Sequence, residues 1–92
     1  MAMHVELVSV EREVWSGEAD SVFARTIEGE IGILPGHTPL LGQLAEDFDV
    51  RIVQAGGSEI VVKVSGGFLS VTDQGVTILA ESATLPGESD SA

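Results

Sequence analysis

The side chains best equipped for chemistry in this chain are two histidines, His4 and His37, an acidic run at Glu46-Asp47-Phe48-Asp49, and scattered serines. The histidines stand far apart, and neither has a second histidine four residues on, so there is no zinc pair of the His-x-x-x-His kind. The acidic run lacks the alternating oxygen ligands and the glycine of a calcium loop, and reads as a solvated turn. No serine sits in the Gly-x-Ser-x-Gly elbow that would present it as a nucleophile. Ser65-Gly66-Gly67-Phe68 lacks the Lys-Ser/Thr of a phosphate loop and falls between strand patterns rather than ahead of a helix. Without cysteine there is neither thiolate ligation nor a disulfide framework. The residue types therefore predict no catalytic group, no cofactor site and no metal site. Two weaker chemistries stay open. Trp15 and Phe68 would stack a carbohydrate if both rings were exposed and coplanar. His37 would serve a hydrolase if an acid and a pocket adjoined it.

Charge narrows the partners. Fifteen acids face four bases (Arg12, Arg25, Arg51 and Lys63), a formal net charge of −11. Such a surface repels phosphate backbones and anionic lipid heads, which argues against nucleic acid and against direct membrane contact. It suits solubility, or docking on a basic partner. The 92 residues, 43% of them hydrophobic, suffice for one domain with one core. The first residues have neither the basic start nor the apolar stretch of a signal peptide.

The elements that must position any site are strands. Val5, Leu7 and Ser9 alternate with His4, Glu6, Val8 and Val10; Val22, Ala24 and Thr26 alternate with Phe23 and Arg25. Val50 and Ile52 alternate with Arg51 and Val53, and Ile60, Val62 and Val64 with Val61 and Lys63. Period-two alternation means sheets with one face buried. Ser16-Gly17, 55–58, 65–67 and 73–75 read as turns. Residues 50–54 with 59–65, and 67–72 with 75–81, have hairpin spacing. The whole predicts an all-β sandwich or barrel. The one stretch with helical spacing is 39–47, weakened by Gly42, and 84–92 reads as a disordered acidic tail behind a domain of residues 1–83.

One loop does not fit plain strand grammar: Glu28 to Leu41, EGEIGILPGHTPLL, with three glycines, two prolines and His37 threaded among aliphatics. Taken in order with Trp15-Ser16-Gly17, VSGGFLSV (64–71) and VTILAESA (76–83), it resembles the epsilon subunit of F-type ATP synthase from about Val5 to Ala83. The resemblance implies a flattened β-sandwich of about ten strands in two five-stranded sheets. It also implies a non-catalytic rotor subunit of the central stalk, bound to the gamma subunit and resting on the c-ring. Such a subunit couples proton-driven rotation to ATP synthesis at the cytoplasmic face of the cell membrane, and touches the membrane only through the complex. Carried over by position, Gly29, Glu30 and Gly32 would meet the c-ring, with Glu30 as the charged contact. Ser9, His37, Thr38, Leu40, Leu41 and Gly42 match gamma-facing positions, although His37 also suits a loop brace and both leucines also suit the core. Relatives commonly continue into a helical C-terminal domain. Residues 84–92 carry no pattern of such a helical hairpin, so the expectation is a sandwich without it, and ATP binding by the chain is not expected.

Overall fold

The computed structural model describes residues 2–85. Seven strands run in chain order: β1 (Met3–Ser9), β2 (Glu13–Thr26), β3 (Gly29–Ile33), β4 (Leu40–Gln43), β5 (Phe48–Gln54), β6 (Glu59–Thr72) and β7 (Gly75–Thr84). The described residues contain no helix, and 39–47, which has helical spacing in sequence, contains β4 instead. Gly42 disfavours a helix, and β4 gains a full antiparallel pairing with β6, from Leu40 opposite Val71 to Gln43 opposite Phe68.

All seven strands belong to one hydrogen-bonded network, and the pairings divide it into two layers. In the first layer, β3 pairs with the second half of β2, which pairs with β5, which pairs with the first half of β6; the end of β7 closes the row. In the second layer, β4 pairs with the second half of β6, followed by the start of β7, then β1, then the first half of β2. Strands β2, β6 and β7 pass from one layer into the other. Counting each in both layers gives ten segments, five per layer, so the expected ten-strand count holds as segments of seven continuous strands. The strand pairing of β1 with β7 is parallel and all the others are antiparallel.

At the crossings in β2 and β6 the inward parity changes, which strict alternation along a regular strand does not allow. In β2, Ala19 points inward, Asp20 forms a bulge against β5, and Val22 and Ala24 point inward thereafter. In β6 the inward set changes from Val62 and Val64 to Leu69 and Val71, and the change falls at Gly66 (φ 68°) and Gly67 (φ 109°). Gly67 has no alternative: a Cβ there would lie 1.9 Å from the Leu79 carbonyl oxygen. The expectation of turns at 65–67 and at Ser16-Gly17 is corrected by these pairings. Both lie inside fourteen-residue strands, the first at a crossover and the second paired with Glu6 and Val5.

Between the layers lies one core, to which Val5, Leu7, Leu69 and Ile78 contribute from one side and Val22, Ile33, Ile52 and Val62 from the other, all fully buried. Most of these are the inward members of the alternations read from the sequence, and each stabilises the fold by about 1.5–3 kcal/mol on burial. Both expected hairpins form, β5–β6 and β6–β7. Strand β7 continues through Thr84 and Leu85 packs against the core, so ordered structure runs past the residue at which a tail is expected to begin. The remainder of that tail lies outside the described residues.

Candidate functional site

The long loop is built from local turn chemistry. Leu34-Pro35-Gly36-His37 is a type II turn: proline sets the second position, Gly36 takes φ 87° at the third, and the His37 N–H donates to the Leu34 carbonyl at 3.0 Å. The His37 ring then donates from Nδ1 to the Thr38 carbonyl at 2.6 Å. A carbonyl only accepts, so this contact places the proton on Nδ1. His37 is therefore a loop brace in the structure, and its ring is committed to a backbone oxygen rather than to a carboxylate, as a hydrolase would require.

At the β2–β3 hairpin, Thr26 Oγ1 donates to the Gly29 carbonyl at 3.1 Å and accepts from the Glu28 N–H at 3.2 Å. This pins the tip on which Glu30 sits. Glu30 stands opposite Arg25 across the hairpin and accepts from its Nη2 at 2.7 Å, with most of the carboxylate side chain still exposed. An exposed pair of this kind contributes about 0–1 kcal/mol, so Glu30 is available to a second partner at little cost to the fold. Gly32 faces Phe23, and a Cβ there would come within 3.1 Å of the ring. Its missing side chain makes room for an aromatic of its own chain.

The gamma-type positions are spread apart. Leu40–Gly42 lie on β4, beside the hairpin tip: Thr26, Ile27, Leu40 and Leu41 line a shared groove. His37 and Thr38 line a different groove with Met3 and His4, at the start of β1. Ser9 ends β1, at the opposite extremity. Ser9 is also buried, and its Oγ accepts from the N–H groups of Glu11 and Arg12 at 3.2 and 3.3 Å. It fastens the β1–β2 turn, and the exposed apolar group beside it is Val10. Leu41, which also suits the core in sequence, is 73% exposed, whereas Leu40 does pack against the core.

The structure adds a feature that sequence reasoning misses. On the outer face of the second layer, Phe68 (53% exposed) stands beside Leu79 (45% exposed), and Val8 follows in the same row across β1. On β4 the row meets Gln43, opposite Phe68, and the exposed Leu41 stands two residues along the same strand, opposite Ser70. The available signal is the pair of apolar doublets Phe68-Leu69 and Ile78-Leu79, which break strict alternation and put a large apolar group on the solvent side. Trp15, by contrast, lies opposite Leu7 and packs against the core. The two rings thus sit on opposite faces of their layer, and the carbohydrate platform does not form. Among the described residues no group of three or more His, Cys, Asp or Glu side chains is placed to hold a metal ion.

Residues 2–86 match the family model described as ATP synthase, Delta/Epsilon chain, beta-sandwich domain. The chain belongs to the ATP synthase epsilon family. An ATP synthase epsilon chain of Frankia casuarinae is 60% identical over 85 residues, covering 92% of this chain and 99% of that relative. One from Rhodococcus opacus is 60% identical over 88 residues, covering 96% of this chain and 72% of the relative. Among solved structures, a chain of the Euglena gracilis mitochondrial ATP synthase (OSCP, F1 and c-ring) superposes with a TM-score of 0.86 at 30% identity. The match covers 97% of this chain and 56% of that one. A chain of the Tetrahymena thermophila mitochondrial enzyme shares the fold at a TM-score of 0.72 and 17% identity. As an epsilon chain this is a subunit of an ATP synthase assembly and not a catalyst in its own right.

Proposed function

We propose that this epsilon chain is a central-stalk rotor subunit that joins the gamma subunit to the c-ring and helps couple proton-driven rotation to ATP synthesis. It works on the cytoplasmic side of the membrane and is held there by the complex. The observation that carries the reading is the presence of two surfaces of different chemistry, adjoining at the groove between the hairpin tip and β4. One is a pinned hairpin tip that projects the Glu30 carboxylate. The other is the sheet face bearing Leu41, Phe68 and Leu79. Glu30, flanked by Gly29 and Gly32, is the contact to the polar loops of the ring. Leu40, Leu41 and Gly42 are the contact to gamma, and the braced turn at His37 and Thr38 supports that side. Ser9 serves the same side indirectly, by holding the β1–β2 turn.

The test is a pull-down from solubilised membranes with this chain as bait, which should recover the gamma and c subunits. Glu30→Lys should then separate folding from coupling. Its stability should stay within about ±0.5 kcal/mol of the parent, as for surface substitutions generally, while ATP-driven proton pumping by the reconstituted enzyme falls. Unchanged pumping would remove Glu30 from the ring contact.

A further inference from the structure

We infer that the gamma-facing surface extends across β6, β7 and β1 to the edge of β2, and that it selects a partner surface with an apolar centre and a lysine- or arginine-rich border. This rests on the reading of the second layer's outer face as the gamma-docking side, and adds the chemistry of what docks there. The apolar centre is the row Phe68, Leu79 and Val8. The row continues directly onto Glu13, which stands opposite Val8 on β2. One row over, Glu6 stands on β1, and beyond it Glu18 pairs with His4. Glu81 lies on the other flank, over Gly66. The outward positions of these strand segments carry no Lys or Arg.

The other outer face is different. It holds three of the chain's four bases, and they are matched: Arg25 to Glu30, Arg51 to Glu59, and Lys63 opposite Asp49. Four carboxylates, Glu6, Glu13, Glu18 and Glu81, thus surround the apolar row; the fourth base, Arg12, lies in the β1–β2 turn next to Glu13. Neighbouring strands lie about 4.8 Å apart, so Glu6 and Glu13 fall within a Debye length, about 8 Å at physiological salt, of anything seated on Val8 and Leu79. A partner surface without cations would leave these carboxylates unpaired as it expels water, which costs affinity. A second copy of the chain would set carboxylate against carboxylate, and an anionic lipid surface would be repelled in the same way. A basic-bordered protein surface satisfies both the apolar centre and the acidic rim.

The experiment measures binding of purified gamma subunit to the intact chain at low and high sodium chloride. Affinity should fall by about tenfold or more between roughly 50 and 500 mM salt, as expected for charge pairs at an interface rim. The triple variant Glu6→Lys, Glu13→Lys, Glu18→Lys should bind at least about tenfold more weakly at low salt and lose most of the salt dependence. Its neutral counterpart with three glutamines should fall between, and guards against misfolding by reversal. Asp49→Lys on the opposite face should leave affinity unchanged. Salt-independent binding that is also insensitive to the triple reversal would overturn the acidic-rim assignment while leaving gamma docking intact. No gamma binding at any salt would overturn both. Concentration-dependent self-association abolished by Leu79→Ser would replace gamma with a second copy of the chain.

Discussion

The two outer faces of the sandwich are built from the same kind of strand and carry opposite solutions to exposure. On the first layer, Arg51 lies over the Phe23 ring, 4.8 Å from its centroid, and bonds Glu59 across the hairpin. Phe23 is half-buried by this cover and by the close approach of Gly32. The second layer leaves Phe68, a ring on the same kind of outward position, with no such cover and more than half exposed. An aromatic that its own chain shields is a local packing group. One that its own chain leaves bare is available to another chain. The difference separates a face that covers its own aromatic from one that leaves its aromatic open, which is the face proposed above to dock gamma.

Substitutions in the shared core, at the crossover and on each face test that contrast, in falling order of effect. Val62→Asp attacks the core that both faces share. Val62 is fully buried opposite Val50, and an unpaired carboxylate there costs several kcal/mol, comparable with the whole stability of a domain this small. The expected result is an unfolded or insoluble chain by circular dichroism, and a folded, soluble mutant would mean that the layer assignment is wrong. Gly67→Ala attacks the crossover that turns Phe68 outward. The added methyl group meets the Leu79 carbonyl at a backbone angle hostile to alanine, and a loss of about 2 kcal/mol or more in denaturant unfolding is expected. A neutral effect would show that the crossover relaxes freely. Phe68→Ser and Phe23→Ser compare the faces directly. Phe68→Ser should leave stability within about 0.5 kcal/mol of the parent yet weaken gamma binding, whereas Phe23→Ser should cost about 1 kcal/mol through the lost stacking and packing and leave gamma binding alone. Equal behaviour of the two variants in both assays would abolish the distinction between the faces.

Much of this architecture is legible in the amino-acid sequence. Inward parity within each run follows from alternation, and Val5, Leu7, Val22, Ala24, Val50, Ile52, Val62 and Val64 all fall inside. The loop string from Glu28 to Leu41 is specific enough to resemble the right family. What alternation does not reveal is where parity changes. Gly66-Gly67 has the same composition whether it ends a strand or carries one round a corner, and only the pairing of Ser65 with Ser82 and of Gly67 with Ala80 shows that the ladder continues. The exposure of Leu41 is hidden for a related reason. An edge strand of four residues gives too short an alternation to assign its faces.

The crossovers have a mechanical meaning. Strands β2 and β6 each run for fourteen residues, about 45 Å at strand rise, against a longest molecular dimension of 40 Å. Neither layer can slide or hinge on the other without bending a continuous main chain. A tug at the β2–β3 tip is conveyed lengthwise down β2 to its partners β5 and β1, where many ladder bonds share the load. The hairpin that carries Glu30 and the sheet that carries Phe68 are tied together twice, by these continuous strands and by the Ile27 N–H, which donates to the carbonyl of Gln43 opposite Phe68.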